Sequence, residues 1–308
     1  MQLYRYLSSL TRPSRNGRAV TIGAYDGIHL GHRAILTRLK QEAASLEASA
    51  TVVSFEPMPR EFFARDNPPA RLTRFREKFE CLAAFGIDEL FCPPFSSVQD
   101  LSPDVFIREL LMDGLGVRHI VIGDDFRFAA GRIGGIEDLQ RAGSTFGFEV
   151  TAVPGVYWQA QRISSTEIRL ALKAGDLETA RGMLGREYSM SGRVVRGLGL
   201  GRELGFPTAN VNLNRRQTPV DGIFAARVLG LSGGPLDGVA SVGTRPTVGG
   251  EKPLLEVYIF DFDRDIYGEY ITVQFVERLR EERKYSDLDS LVAQMHEDVS
   301  AARAALAA

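Results

Sequence analysis

The stretch Ala19-Val20-Thr21-Ile22-Gly23-Ala24-Tyr25-Asp26-Gly27-Ile28-His29-Leu30-Gly31-His32 joins a short, largely β-branched run to a glycine-rich turn. Directly after it, apolar residues recur at helical spacing, namely Ile35, Leu36, Leu39, Ala43 and Leu46. A strand that runs through such a turn into a helix is typical of βαβ proteins. The stretch therefore predicts the first strand and first helix of a parallel sheet.

The same alternation of strands and helices continues to residue 185. Further buried strands are predicted at 51–55, 119–122 and 149–153, and a helix is predicted around residues 75–83. Ser164, with Glu167 three residues later, is typical of a capping box that opens a helix, and Asp176 can cap a second helix that ends at Gly185. We therefore expect an α/β domain with a parallel sheet at residues 1–185.

The pattern changes after Arg186 to short strands separated by glycine and proline. The predicted strands are 188–196, 208–211, 223–229, 239–242, 254–260 and 270–276. Short strands at close intervals favour a six-stranded antiparallel barrel. A last helix, with Ser286 as its expected cap, has an apolar stripe formed by Leu288, Leu291, Val292, Met295, Val299 and Leu306. The second domain is thus expected at residues 186–308.

The composition predicts a soluble, folded protein of the cytoplasm. Hydrophobic residues make up 44% of the 308 and charged residues 25%, which are ordinary globular values. The longest charge-free run, 150–161, is shorter than the about 20 apolar residues of a membrane helix, and residues 1–18 contain no signal peptide. The net charge of -2 attracts neither nucleic acid nor a lipid surface. Cys81 and Cys92 fit no metal or redox motif and are expected to be reduced.

The glycine-rich turn 23–32 is the first candidate site. Amides at a helix N-terminus, together with glycines that let the backbone approach a ligand, accommodate a phosphate. His29 and His32 are three residues apart, so we expect them to share one helical face and to donate to phosphoryl oxygens. The structural alternative is a glycine-rich turn with two solvated histidines, while a zinc site would lack a third ligand nearby.

The second candidate site lies in the barrel half, where glycines at 197, 199, 201 and 205 precede a strand. Thr208 and Asn210 are alternate residues of that strand and so face the same side. Their oxygens suit magnesium that carries nucleotide phosphates. Glu256, in an otherwise apolar strand, is a candidate general base. A mobile hairpin and a solvated glutamate on an edge strand are the structural alternatives.

Ordered blocks of the first half resemble the nucleotidyltransferase superfamily, and the Asp-Gly dipeptide in residues 23–32 resembles its flavin adenylyltransferase branch. The other blocks are 54–60, 71–73, 123–128 and 163–169. The resemblance implies a Rossmann-like nucleotidyltransferase domain that adenylylates FMN with ATP, giving FAD and pyrophosphate, with His29 and His32 as catalytic residues. It implies ATP or phosphate contacts at Gly23, Tyr25, Asp26, Gly27, His29, Gly31, His32, Asp125, Ser164, Ser165, Thr166 and Arg169.

The sequence departs from that family pattern at several positions. Met58 stands where a histidine is frequent, so we assign that position no catalytic role. Ala129 stands where a glycine usually follows the aromatic residue, which leaves the course of that loop open. Asp125 replaces the Asn of some members, keeping an acceptor but losing a donor, and a structural loop cap is its alternative role. Tyr25 in place of Phe is a mild change.

Blocks of the second half resemble the riboflavin kinase barrel, and the chain resembles the bacterial bifunctional riboflavin kinase and FAD synthetase family over nearly its full length. The blocks are 201–210, 219–224, 243–247, 255–257, 265–268 and 279–286. The resemblance implies phosphorylation of riboflavin to FMN by ATP, with Thr208 and Asn210 as Mg²⁺ ligands and Glu256 as base. It implies ATP or flavin contacts at Gly199, Gly201, Arg202, Gly205, Phe206, Pro207, Thr208 and Asn210.

Other functions stay open at this point. If the changes at Met58, Ala129 and Asp125 impair adenylyl transfer, the chain is a kinase alone. A nucleotidyltransferase for another phosphorylated vitamin would share the histidine turn but would not explain the barrel. A flavin-responsive binding protein without turnover would not need the complete set of Thr208, Asn210 and Glu256. The expected partners are small molecules, and no feature of the sequence indicates an oligomeric state.

Overall fold

The computed structural model describes residues 1–10, 16–197, 199–247 and 250–307. It divides into two compact units. The first unit contains residues 1–69 and 75–164, and the second contains Ala70–Arg74 and the chain from Ser165 onward. Each unit has its own sheet or barrel.

The first unit is built on a six-stranded parallel sheet with the order β1-β4-β3-β2-β5-β6. Its strands are β1 (Gln2–Tyr4), β2 (Arg18–Ile22), β3 (Ser49–Val53), β4 (Glu89–Phe91), β5 (Val117–Gly123) and β6 (Glu149–Val153). The predicted parallel sheet is confirmed, although the strand expected at 51–55 begins and ends two residues earlier. The edge strand β1 and its neighbour β4 have three residues each, too few for a recognisable pattern.

Helices cover both faces of this sheet. They are α1 (Leu30–Ser45), α2 (Pro59–Phe63), α3 (Phe75–Phe85), α4 (Pro103–Val105), which continues as a π-helical segment (Phe106–Gly114), and α5 (Ile136–Phe146). Single 3₁₀ turns occur at Leu7–Ser9, Phe95–Ser97 and Ala130–Arg132, and β7 (Tyr157–Trp158) pairs with β8 (Gln161–Arg162). Val20 and Ile22 of β2 enter one core and Ala19 enters the other, because successive strand residues point to opposite faces.

The second unit contains a closed six-stranded antiparallel barrel in the order β10-β13-β12-β11-β14-β9. Its strands are β9 (Tyr188–Val195), β10 (Thr208–Asn212), β11 (Gly222–Leu229), β12 (Leu236–Thr247), β13 (Gly250–Ile259) and β14 (Tyr270–Arg280). All six predicted strands are present, so the barrel expected from the sequence is confirmed. Closure gives every strand two neighbours and leaves no edge strand.

The helices of the second unit are α6 (Ser165–Ala174), α7 (Leu177–Leu184), α8 (Leu200–Glu203) and α9 (Leu288–Ala307). Asp176 caps α7 as predicted, its side chain accepting from the Thr179 amide at 2.9 Å. The predicted cap of α9 is wrong: Asp287, not Ser286, accepts the amide hydrogen of Ser290 at 2.7 Å. The Ser286 hydroxyl instead donates to the Asp287 carboxylate, because that carboxylate is the stronger acceptor at the helix start.

The helices α6 and α7 group with the barrel in the compact units, and α7 packs against β9 and β14. The sequence prediction placed both helices in the first domain, with the boundary at residue 185. The compact units therefore divide earlier in the chain, after Ser164. The boundary at 185 stays a proposal about function.

Candidate active sites

Residues 23–32 connect the carboxyl end of β2 to the start of α1. Ligands of open α/β sheets bind at this edge. Three loop residues have positive φ, with values of 49° at Tyr25, 89° at Gly27 and 44° at Ile28. Residues other than glycine adopt this conformation only where their surroundings hold them in it. The loop therefore has a well-determined shape at the edge where a ligand is expected.

The two histidines of this loop stack on each other, with ring centroids 3.6 Å apart and planes inclined by 14°. His29 caps α1, its Nδ1 accepting the backbone N–H of His32 at 3.2 Å. A Cβ at Gly31 would lie 3.2 Å from the His29 ring, so glycine permits this close packing. His29 is buried and His32 half-buried. Both earlier interpretations are corrected: the histidines are not solvated, and they do not share a helical face because His29 precedes the helix.

Burial controls the protonation of His32. It lowers the pKa of the His32 ring well below the usual value, and the nearby His29 and Lys78 lower this pKa further. The Nδ1 atom of His32 is buried and makes no hydrogen bond within the part of the chain that the structure describes. The His32 ring is therefore neutral at physiological pH, with hydrogen-bonding capacity still available.

Tyr25 supports the histidines from within the core. Its side chain is buried, and its hydroxyl shares a 2.7 Å hydrogen bond with Thr21. Burial raises the pKa of that hydroxyl. The Tyr25 ring lies 4.8 Å from the His32 ring, and a Cβ at Gly23 would come within 3.0 Å of the Tyr25 ring. The Tyr25 hydroxyl is therefore hydrogen-bonded inside the core, and the neighbouring residue Asp26 is also buried.

The loop after β5 carries the predicted contact Asp125. Its exposed carboxylate lies 3.3 Å from the Arg162 guanidinium. The structural cap in this loop is the preceding residue, Asp124, which accepts from the Gly155 amide at 3.0 Å and pairs with Arg162 as well. Asp125 therefore stays available as a ligand contact, while the capping role expected as its alternative belongs to Asp124.

Ala129, where the family usually has glycine, keeps a glycine-like backbone with φ 66° and ψ -178°. A residue with a Cβ is strained in this region by about 1–3 kcal/mol. We expect Ala129→Gly to raise the free energy of unfolding of the first unit by about 1 kcal/mol. This value is the strain relieved minus the cost of the conformational entropy that glycine adds to the unfolded chain. Urea unfolding followed by the fluorescence of Trp158, the only tryptophan, measures it.

Ala130→Gly is the matched control, because Ala130 has no positive φ and begins a 3₁₀ turn. It should lower the free energy of unfolding by about 0.5–1 kcal/mol. Equal destabilisation by both substitutions would contradict strain at Ala129.

The Ser164 to Arg169 block starts α6. Arg169 donates through Nε to the carbonyl oxygen of Ala70 at 2.6 Å and through a terminal nitrogen to that of Ser165 at 3.0 Å. These contacts lie within the second unit, and Ser164 is the last residue of the first unit. The ATP contacts predicted for Ser164, Ser165, Thr166 and Arg169 therefore rest on the family resemblance.

In the barrel, three polar residues form one row across adjacent strands. Asn210 of β10 lies opposite Glu256 of β13, and Glu256 lies opposite Ser241 of β12. Thr208 pairs with Tyr258 two residues along on the same face. Because β13 has a neighbour on each side, the interpretation of Glu256 as a solvated glutamate on an edge strand is wrong.

Of this row, Glu256 and Ser241 line a cavity of about 260 Å³, while Asn210 is buried. Its polar lining is Thr208, Ser241, Glu256, Arg280 and Asp298. Its other lining residues are Gly199, Leu200, Gly201, Leu204, Phe206, Ile223, Val239, Tyr258, Leu291, Met295 and Val299. The cavity thus combines a polar cluster with an extended apolar wall, which suits a ligand that has a flat apolar ring system and a polar tail.

The glycine-rich segment before β10 packs directly on the row. A Cβ at Gly197 would overlap the carboxamide of Asn210, and one at Gly201 would lie 3.2 Å from Thr208 Oγ1. The Phe206 amide donates to the Gly201 carbonyl oxygen at 2.7 Å. Residues 200–203 form the one-turn helix α8, whereas the alternative considered for this segment was a mobile hairpin. Of the remaining predicted contacts, Gly199 and Gly205 have φ near 80°, and Arg202 and Pro207 are exposed.

Sequence reasoning missed Ser241, Arg280 and Asp298. Arg280, at the end of β14, donates to both carboxylate oxygens of Asp298 on α9 at 2.7 Å, and these hydrogen bonds raise the pKa of the arginine. Both side chains are largely buried, and Gln294 donates to the same carboxylate at 3.2 Å. Residues 18 positions apart have no shared sequence signal, whereas Leu291 and Val299 of the cavity wall belong to the apolar stripe of α9.

A second carboxylate lies near Glu256. Glu282 Oε1 accepts from the Ser241 hydroxyl at 3.5 Å, and Ser241 is the neighbour of Glu256 across the strands. Burial raises the pKa of Glu282, and the charges of Asp221 and Glu256 raise it further, against the effects of Ser241 and Arg280. The carboxyl groups of Glu256 and Glu282 therefore both lie next to Ser241.

We expect Asp298→Asn to lower the free energy of unfolding of the barrel unit by about 3 kcal/mol. The substitution leaves a largely buried guanidinium without its anionic partner, which costs far more than the pair contributes. Urea unfolding followed by circular dichroism measures the loss.

Asp261→Asn is the matched control, since Asp261 pairs with Arg303 at 2.9 Å on the exposed surface. A loss below about 1 kcal/mol is expected there. Similar losses for the two variants would contradict the assignment of a special role to the buried pair.

Two family models match the chain in succession. The FAD synthetase model matches residues 11–167, and the riboflavin kinase model matches residues 184–306. The bifunctional riboflavin kinase/FMN adenylyltransferase of Escherichia coli strain K12 is 44% identical over 304 residues, covering 98% of this chain and 97% of the relative. The chain belongs to this bifunctional family. It is a transferase with riboflavin kinase and FMN adenylyltransferase activities.

A second relative and a solved structure match the chain over nearly its full length. The Haemophilus influenzae enzyme of the same name is 43% identical and covers 99% of both chains. A crystal structure from Streptococcus pneumoniae, named a macrolide-efflux protein, has a TM-score of 0.79 at 30% identity and covers 96% of both chains.

In the described residues, no helix is long and apolar enough to cross a membrane. The described part of the chain also contains no cluster of three or more His, Cys, Asp or Glu that could hold a metal.

Proposed function

We propose that riboflavin is phosphorylated in the barrel cavity with Glu256 as the general base. The observation that carries this assignment is Glu256 on the cavity wall beside Ser241, with Asn210 opposite it on the neighbouring strand. Glu256 removes the proton of the terminal ribityl hydroxyl, and that oxygen attacks the γ-phosphorus of ATP. The bond from the γ-phosphorus to the bridging oxygen breaks, and ADP leaves with its electron pair.

Mg²⁺ fits the donor set beside Glu256. Thr208 contributes a hydroxyl oxygen and Asn210 a carboxamide oxygen, both on one face of β10. These are the hard oxygen ligands that Mg²⁺ prefers alongside ATP phosphates. When bound, the ion would neutralise charge on the phosphates. Gly197 and Gly201 pack against these two side chains and hold them in place.

The shape of the cavity orients riboflavin. The apolar wall from α9 and the barrel, including Leu291, Met295 and Val299, suits the flat isoalloxazine ring system. The hydroxyl-bearing ribityl chain then extends to the polar cluster at Glu256. This orientation places the terminal hydroxyl beside the base, so positioning supplies a large part of the rate.

In the first unit, we assign adenylyl transfer to the loop 23–32. A phosphate oxygen of FMN attacks the α-phosphorus of a second ATP, the bond to the bridging oxygen breaks, and pyrophosphate leaves. No base is required, because the attacking oxygen already carries negative charge. His29, His32 and the amides at the start of α1 stabilise the developing charge, and His32 acts as a neutral ring.

We propose functional domains at 1–185 and 186–308, because the family resemblance assigns Ser164, Ser165, Thr166 and Arg169 to adenylyl transfer. Both reactions use small soluble substrates. We propose the cytoplasm as the compartment, because the spacing of Cys81 and Cys92 fits no metal or redox motif and a core of this size needs no disulfide.

A chromatographic time course of the purified protein with riboflavin, ATP and Mg²⁺ tests these assignments. FMN should appear first and FAD should follow, with ADP and pyrophosphate as the other products. FMN without FAD would contradict the role given to residues 23–32. Binding of riboflavin without ATP consumption would contradict the role of Glu256.

A further inference from the structure

A completely buried lysine lies beneath the adenylyl-transfer loop. Lys78 is on α3 and has no exposed surface. Its Nζ donates to the carbonyl oxygen of Ala24 at 2.6 Å and to Ser54 Oγ at 3.2 Å. Ser54, equally buried, donates to the same carbonyl oxygen at 3.3 Å. Burial of an ammonium group costs several kcal/mol unless its hydrogen bonds compensate, so a lysine at this position is expensive to retain for packing alone.

The carbonyl oxygen that Lys78 binds lies at the strained part of the loop. Ala24 directly precedes Tyr25, whose φ of 49° is uncommon for a residue with a side chain. Tyr25 is held at its other end by Thr21 and packs 4.8 Å from the ring of His32. A chain of contacts therefore runs from the ammonium through the Ala24 peptide and the Tyr25 ring to the histidine pair.

We propose that Lys78 is a positioning residue for adenylyl transfer, holding the Ala24 carbonyl so that Tyr25 and the stacked histidines keep their places. Its charge also lies beneath the loop where the ATP phosphates bind, in a medium that screens charge poorly. Because the side chain is fully buried, it acts through the loop and does not contact substrate. The inference rests on the roles proposed above for His29 and His32.

The charge of Lys78 has a measurable effect on its neighbours. Titratable groups around the His32 ring include His29 and Tyr25 from the loop and Lys78 from α3. The positive charge of Lys78 opposes protonation of His32 and so lowers its pKa. Removal of that charge should therefore shift the titration of His32 to higher pH.

Lys78→Met tests the proposal, since methionine fills similar space without a charge or an N–H donor. We expect kcat for FAD formation from supplied FMN to fall about 100-fold, with KM for FMN nearly unchanged. The NMR titration of the His32 ring should move to higher pH. Riboflavin phosphorylation by the same molecule should be unchanged. Leu82→Met, on the same helix and equally buried, is the matched packing control and should keep wild-type adenylyl transfer.

Equal adenylyl transfer by Lys78→Met and the wild type, or an unshifted His32 titration, would overturn the proposal. If Lys78→Met does not fold, Lys78→Gln keeps a donor without the charge; it should show an intermediate loss of kcat and the same direction of His32 shift, and wild-type values there would also overturn it. Absence of FAD formation by the wild type would instead contradict the function assigned to the loop, so the two failures are distinguishable.

Discussion

Glu256→Gln is expected to lower the rate of FMN formation about 1,000-fold, while the same protein converts supplied FMN to FAD at the wild-type rate. Glutamine fills the same space on β13 but cannot take a proton from the ribityl hydroxyl, and general bases contribute about 10²- to 10⁴-fold. The row with Asn210 and Ser241 should survive the substitution, because it is set by strand pairing. Separate assays of riboflavin phosphorylation and FMN adenylylation measure the two rates.

Glu277→Gln is the matched control for this experiment. Glu277 is also a barrel residue, on β14, but its side chain is exposed and does not line the cavity. It should leave both rates unchanged. Wild-type FMN formation by Glu256→Gln would refute the role of the base, and loss of both activities together would refute independent sites.

His29→Ala is expected to produce the opposite separation, with FAD formation reduced about 100- to 1,000-fold and FMN formation retained. The substitution removes a ring that stacks on His32 in the loop proposed to bind phosphate. Removal of one hydrogen-bond donor to the developing charge lowers kcat by about 100- to 1,000-fold in comparable sites. It also removes the cap of α1, which costs about 1 kcal/mol of stability. The adenylylation rate with supplied FMN and the thermal midpoint of unfolding are the measurements.

His29→Asn separates the two roles of this residue. Asparagine accepts an amide hydrogen at the start of a helix as well as any residue, so it should restore stability. It lacks the imidazole ring, so FAD formation should stay as low as in His29→Ala. Recovery of the rate by His29→Asn would mean that His29 acts only as a helix cap.

Elements with a strong periodic pattern were predictable from the sequence, because burial of one face requires apolar residues at regular spacing. All six barrel strands follow this rule, as does α9 with its apolar stripe. The strands β1 and β4, with three residues each, are too short to show such a spacing. The cap of α9 was assigned to Ser286 although Asp287 beside it competes for the same amide, and charge decides between them.

Candidate residues for both sites could be proposed from the sequence where they lie in one continuous stretch. Residues 23–32 and the pair Thr208 and Asn210 belong to this class. The partners that support them come from distant parts of the chain: Lys78 meets Ala24 across 54 positions. Asp298 meets Arg280 from another element, and only the folded chain brings such groups together. The stacking of His29 on His32 was also beyond the sequence, since it depends on where α1 begins.

A mixture of the two single variants tests the central claim, that one chain carries two independent active sites. Glu256→Gln and His29→Ala are each incubated with riboflavin, ATP and Mg²⁺, alone and together, and the flavins are separated by chromatography. Alone, the first should leave riboflavin nearly unchanged and the second should accumulate FMN. Together they should form FAD, because FMN released by one variant is adenylylated by the other. No FAD in the mixture, with both proteins folded, would contradict the account.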